Sequence, residues 1–488
     1  MAVSPLPADN VPFTIRDSVD NAEDGFYIYL STEGVGYKFL ENLQELSSTY
    51  YIVDSLSKFN TLILNGTSGI WIVINNITLD ANKTIPLGVI LQFRNAKISL
   101  GGFDLTATNT EIQHGLSQIF DVNGSLLGTW NVEGFNLEWF GIISNDSTKG
   151  VANALISSVL NDKKLIASAD LYYFSSNDTD IFRFEVDNVG ITGGERTIFN
   201  FNAPSISVAM RIIYFDKVGN YVKNIYILNE NNIADDTGDS QIIGVNAYRG
   251  AYDYLVENVK VEIRGGYDLR PNDTANRNAG SAFSTFDTGL TAKSTTYTNN
   301  SIASGSDVVV TPNSMVGINE GMQLFVGDWN NGTGLFGVSP SGGNDEIVIV
   351  KTYTDTTFTA DFVNNHSALD KIHISGYGIQ NGIFNNCYAL NGARLQGFLI
   401  YSNGNNFNSC KAINMGNDGF QHGAYVQGGQ NIFTSCFFSK NAGASWNFRG
   451  ASLIKDNGGN KLIGCTSEDA NGMHLNFTNV DINNSAMF

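Results

Sequence analysis

Gly382-Ile-Phe-Asn-Asn-Cys387, Asn405-Asn-Phe-Asn-Ser-Cys410, Asn431-Ile-Phe-Thr-Ser-Cys436 and Asn460-Lys-Leu-Ile-Gly-Cys465 are one phrase written four times. Each runs from Gly or Asn to an apolar residue two positions on and to a cysteine three after that. The cysteines lie 23, 26 and 29 residues apart (410−387, 436−410, 465−436). A period of this size marks a stacked repeat. A coil too short to bury its own apolar side must lay it on the next coil, so equivalent positions fall above one another at the strand spacing of about 4.8 Å. Phe384, Phe407, Phe433 and Leu462 are expected to form one inward column, and Cys387, Cys410, Cys436 and Cys465 a smaller one.

An Asn beside a small residue follows each phrase, at Asn391-Gly392, Asn417-Asp418-Gly419, Asn441-Ala442-Gly443 and Asn471-Gly472. Asparagine bonds neighbouring backbone and tolerates left-handed dihedrals at corners, as glycine does. One strand and one turn per repeat predict the rungs of a right-handed parallel β-helix. The cysteines suit buried core thiols. No pair stands two to four residues apart, as a zinc site requires, and neither a metal nor a cofactor is expected.

Composition narrows the function classes. The chain has 488 residues, only 15% of them charged, with a net charge of −19. That balance argues against a nucleic-acid partner and against an anionic membrane surface. No apolar run reaches the roughly 18 residues of a membrane span. Met1-Ala-Val-Ser-Pro-Leu-Pro has no basic segment leading into an apolar one, so no export signal is expected.

The chain divides into five parts by pattern. Residues 1–48 form a mixed segment, a folded cap or an attachment module. Residues 49–136 carry short alternating strands such as Thr61–Leu64, Trp71–Ile74 and Val89–Phe93, either coil-like or a small β-sandwich. Residues 137–295 begin with Leu137-Glu-Trp-Phe-Gly141. A turn at Ser144–Ser147 follows, then an amphipathic helix over 148–162 marked by Val151, Leu155 and Val159. Strands Lys164–Ala167 and Leu171–Phe174 come next. Residues 296–374 lack the Asn and Cys phrase and alternate around Gly-rich turns, as a small inserted β domain. Residues 375–488 are the C-terminal rungs and tip. An open last rung exposes strand edges, which association between chains would cover.

The order Glu138-Trp-Phe-Gly141, the Asn145-Asp146 turn, the helix and the Leu165–Phe174 strand pair resembles the entry motif of the pectate-lyase-like β-helix domains of bacteriophage tail spikes and tail fibres. In that family a Trp-Phe-Gly strand leads through an acidic turn to a helix that plugs the first coil, followed by a strand, a Pro-Ala-Gly turn and a Tyr-bearing strand. Here Ser168-Ala169-Asp170 replaces Pro-Ala-Gly, and the Gly-Asp-Gly turn is missing. The resemblance implies an all-β homotrimer in a virion tail, gripping other tail or baseplate proteins through its N-terminus and binding a bacterial surface polysaccharide. It also implies polysaccharide cleavage where a member is an enzyme. A free bacterial polysaccharide lyase or glycoside hydrolase, and a purely structural virion protein, are the alternatives.

No Ser-His-Asp order, phosphate-binding loop or metal-ligand spacing stands out around the five histidines. Inverting glycoside hydrolysis needs two carboxyls roughly 6.5–9.5 Å apart. The rung pattern offers Asp418 on one coil, with Glu468 and Asp469 two coils on, as candidate catalytic residues. Asp418 also suits a turn aspartate bonding its own backbone. Arg394, His422, Tyr425 and Trp446 are candidate substrate contacts by stacking and polar bonding, and equally suit ordinary surface or core positions.

Overall fold

In each Phe phrase the flanking residues alternate with the ring, so the phenylalanine faces one side and Asn, Thr or Ile the other. A computed structural model describes residues 12–15, 25–28, 38–40, 50–121, 124–142, 154, 161–174, 180–201, 210–229, 242–248, 251–263, 280–285, 294–295, 301–315, 318, 320, 323–327, 346–367, 371–374, 381–392, 395–402, 404–415, 422–426, 430–442, 446–449, 460–468 and 474–478. They fall into two units, 1–133 and 134–488. Among the described residues both are all-β apart from one α-helix, one 3-10 helix and the helical Ala154, and parallel pairing dominates.

In the larger unit the chain visits three parallel sheets in rotation. Ile383–Asn385 lies in the first, Tyr388–Leu390 in the second and Gln396–Ile400 in the third, and the next coil repeats the cycle with Asn406–Asn408, Lys411–Ile413 and Ala424–Val426. The register of the first sheet produces one apolar column: Phe135, Leu165, Ile191, Val222, Val256, Phe384, Phe407, Phe433 and Leu462. All are buried. Phe407 stacks on Phe384 and on Phe433 with centroids 4.6 Å apart in both cases. Facing rings come from the third sheet, where Phe398 meets Phe407 edge-on at 5.7 Å.

The non-apolar letters of the phrase bond coil to coil. The Sγ of Cys410, Cys436 and Cys465 each donate, at 3.3 Å, to the carbonyl of Phe384, Phe407 and Phe433 on the coil before. Asn431 Oδ1 accepts from Asn405 N at 3.0 Å, and Asn460 Oδ1 from Asn431 N at 2.9 Å, a buried amide ladder that satisfies corner backbone no sheet reaches. Gly382 breaks this ladder because the Tyr254 ring fills the place, and a Cβ there would stand 2.1 Å from its Cζ. The ladder ends on Gly382 N, which donates to Asn405 Oδ1 at 2.9 Å beside the Tyr254 hydroxyl at 3.0 Å. The residue before each cysteine takes a left-handed conformation: Asn386 (φ 54), Ser409 (φ 54), Ser435 (φ 54) and Gly464 (φ 60).

The second corner corrects the expected alignment of the repeats. Asn414, at φ 59, stands over Asn391, at φ 49, and its Nδ2 donates to Asn391 Oδ1 at 2.9 Å. The equivalent of Asn391 is therefore Asn414, because the strand after Cys410 sets the corner; Asn417 lies outside the described residues.

At the start of this unit, the strand is Gly134–Asn136, and Leu137–Phe140 forms a buried 3-10 turn ending on left-handed Gly141 (φ 77), where a strand was expected. The turn lets Glu138 point inward. Its Oε1 accepts from Ala169 N at 2.7 Å and from the Tyr172 hydroxyl, tying the turn between the first two sheets to the coil entrance. Burial, and then the carboxylate beside it, hold the Tyr172 hydroxyl well above the ordinary phenol range. Of the helix expected over 148–162, Ala154 is helical and fully buried; Val151, Leu155 and Val159 lie outside the described residues.

Between the coils, strands from Ser294–Thr295 to Lys371–Ile374 pair antiparallel around a core of Val310, Leu324, Val326, Val348, Phe358 and Ile372. Tyr252, from the preceding coil corner, packs into that core. Val256 and Phe384 pair directly across the insertion, so the column continues as if it were absent.

The smaller unit holds five parallel strands in the order Leu126–Asn131, Leu105–Gln113, Val89–Phe93, Gly69–Val73, Tyr50–Val53, and a second parallel sheet of Phe120–Asp121, Ile98–Ser99 and Ile77–Thr78. Parallel pairing selects the coil-like alternative, since a sandwich is built from antiparallel strands. Leu56–Leu64 is an α-helix, correcting the strand expected at Thr61–Leu64. Ser55 caps it by accepting from Lys58 N, and Phe59 and Leu62, three apart, are its buried face. Pro12–Ile15, Gly25–Ile28 and Lys38–Leu40 form a separate antiparallel sheet.

Candidate functional site

The outer face of the third sheet carries side chains that the core does not use. Phe283 and Phe398 stack inward at 4.9 Å, so their strand neighbours Ser284 and Leu399 face out. The outward row reads Arg183, Tyr214, Asn246, Ser284, Leu399, Tyr425 and Asn447, in register on successive coils. A second row beside it reads Arg211, Ile243, Ser281 and Gln396. From Tyr214 to Asn447 every member of the first row is buried.

Four atoms in these rows lack a hydrogen-bond partner: Asn246 Oδ1, Ser281 Oγ, Ser284 Oγ and Gln396 Oε1. They occupy three consecutive coils, with Asn246 opposite Ser284 and Ser281 opposite Gln396. Buried polar atoms without partners are rare in folded proteins; at 0–2% exposure these four are closed to a bound polymer, and ordered water is what can supply the missing bonds.

Aromatic groups bracket the cluster. On one side the Arg211 guanidinium lies over the Tyr214 ring at 4.6 Å and the Tyr248 ring at 5.6 Å, and Arg183 lies over Tyr214 at 5.1 Å while pairing with Asp216 at 3.2 Å. Burial, and then the Asp216 charge, push the Tyr214 hydroxyl up, so it stays a neutral donor. On the other side, Tyr401 and Tyr425 lie 6.0 Å apart, His422 stacks on Tyr425 at 5.9 Å, and Asn447 Nδ2 donates to His422 Nε2 at 2.8 Å.

His422 and Tyr425, both expected from sequence as substrate contacts, thus meet on this face. Trp446 is corrected to the core: it continues the inward row of Phe398 and Ala424, and stacks on Phe438 at 4.5 Å. Arg394, Asp418 and Asp469 lie outside the described residues. Glu468 is exposed at the end of Thr466–Glu468 in the second sheet. The Arg211, Tyr214, Asn246 and Ser284 part of the face was missed from sequence. Its signal is the outward position of each strand, legible only once the strands are aligned.

Among the described residues no three His, Cys, Asp or Glu side chains converge as a metal site. No protein-family model matches the chain, and no curated protein resembles it significantly.

Proposed function

We propose that the chain is a phage tail spike or receptor-binding fibre, a right-handed parallel β-helix that binds a bacterial surface polysaccharide on the outer face of its third sheet. The handedness follows from the rule that parallel crossovers are right-handed in nearly all sheets. The observation that carries the function is the polar and aromatic rim of that face, where the part-exposed Arg211 lies over Tyr214 and the part-exposed His422 stacks on Tyr425. Guanidinium and imidazole groups hydrogen-bond sugar hydroxyls, and aromatic rings stack on sugar C–H faces. The entry staple of Glu138, Ala169 and Tyr172 supports the family reading, since it joins the motif residues that the resemblance rests on.

The test is titration of the purified chain with capsular and O-antigen polysaccharides of candidate host bacteria, alongside the double variant Arg211→Ala/His422→Ala. Binding by the wild type, weakened in the variant, is the expected result. Absence of binding to every surface glycan would remove the proposal. New reducing ends or unsaturated sugars in the same mixtures would identify a depolymerase.

A further inference from the structure

A different face, the outer side of the second sheet, carries an alternating ladder. The first position of each strand reads Tyr226, Lys260, Tyr388, Lys411 and Phe437 on five successive coils. All five are half-exposed. The Lys260 ammonium lies over the Tyr226 ring at 3.8 Å, and that of Lys411 over the Tyr388 ring at 4.8 Å. The two interleaved sets have the same pitch: rings on every other coil, ammonium groups on every other coil, each about 9.6 Å apart at about 4.8 Å per coil.

The two lysines differ in what neutralises them. Lys260 pairs with Glu262 at 3.1 Å, and Glu262 is buried and engaged by the Tyr226 hydroxyl and by Asn391 Nδ2 at 2.8 Å. An ammonium has three donors, so two remain on Lys260. Among the described residues Lys411 forms no ion pair. In a chain of net charge −19, Lys411 is a half-exposed cation held in place by a ring, and such a group attracts anions.

We infer that this ladder binds an acidic polysaccharide lying along the coil axis, with one carboxylate per two-sugar repeat meeting Lys260 and Lys411 while alternate sugars rest on Tyr226, Tyr388 and Phe437. The spacing of about two coils is close to the length of one disaccharide, which is why a linear polymer rather than a small anion fits. The inference rests on the glycan-binding proposal and refines it, naming the charge class of the glycan and adding a second face.

The experiment uses the full chain with hyaluronate, which carries one carboxylate per disaccharide, polygalacturonate, and neutral dextran as probes, by titration at 20 and 200 mM salt. Hyaluronate is expected to bind best and to weaken with salt. Lys411→Gln is expected to weaken it about fivefold, one exposed charge contact at the upper end of its usual worth. Tyr388→Ala is expected to do the same and Tyr388→Phe to restore binding; unchanged thermal midpoints show that each variant is folded. The inference is overturned if dextran binds as well as hyaluronate, or if Lys411→Gln leaves binding to both anionic probes unchanged. If host glycan binding is lost only in Arg211→Ala/His422→Ala, the ladder is a structural column and the third-sheet proposal stands. If it is lost only in Lys411→Gln, the ladder stands and the third-sheet assignment falls.

Discussion

Replacing Phe407 by Ala removes the middle ring of the inward column. Phe407 is 1% exposed, is stacked on both faces at 4.6 Å, and receives the Phe398 edge at 5.7 Å. The backbone around it cannot collapse into the space, because the strands on both sides are fixed by ladders at the coil spacing. Truncation of a buried Phe under such conditions costs about 3–5 kcal/mol, and the rigid surroundings place this position in the upper half of the range. Leu462→Ala is the internal comparison: it sits on the last described coil, with Phe433 as its only stacked neighbour in the column. Its cost is expected near the lower bound for a Leu truncation, about 2 kcal/mol. Urea unfolding followed by tryptophan fluorescence measures both. A loss below about 1 kcal/mol for Phe407→Ala, or a larger loss for Leu462→Ala, would mean that coil-on-coil burial is not what holds this unit together.

Three further outcomes are expected. Glu138→Gln and Tyr172→Phe should each destabilise the unit by about 1.5–3 kcal/mol, the range for hydrogen bonds to a charged group, and the double variant should cost less than their sum because both cut the same staple. At pH 8 a disulfide exchange reagent should find at most the half-exposed Cys465 in the native chain and all four thiols after unfolding: burial pushes the Cys410 thiol up, sulfur contacts along the column do the same for Cys436 and Cys465, and the reactive thiolate is therefore scarce. Rapid labelling of Cys387 or Cys410 in the folded protein would contradict the column. Gly382→Ala should lower stability by about 1–3 kcal/mol through overpacking against Tyr254, and in a Tyr254→Ala background the same change should be nearly neutral, as thermal midpoints would show.

The periodic parts of this fold were legible from residues alone, because a stacked coil repeats its chemistry. Phe384, Phe407, Phe433 and Leu462 had to superimpose, since each needs the next to leave water, and the cysteines three positions on followed by the same spacing. The helix Leu56–Leu64 was obscured by its β-branched and aliphatic letters, although Ser55 and the Phe59 and Leu62 spacing signal it. The 3-10 turn at Leu137–Phe140 was hidden for a different reason: its direction is dictated by Ala169 and Tyr172, about thirty positions downstream.

Sequence by itself determined the stacked parallel strands and the inward column, because hydrophobic burial between equivalent positions depends only on order and spacing along the chain. The outer faces were decided by tertiary structure. Which coil lies over which is set by loops of unequal length and by an insertion that puts Val256 next to Phe384, so Tyr226, Lys260, Tyr388 and Lys411, or Asn246 and Ser284, become neighbours only after register is fixed. Surface chemistry on a solenoid is a property of alignment between coils, and that alignment is supplied by the backbone ladders.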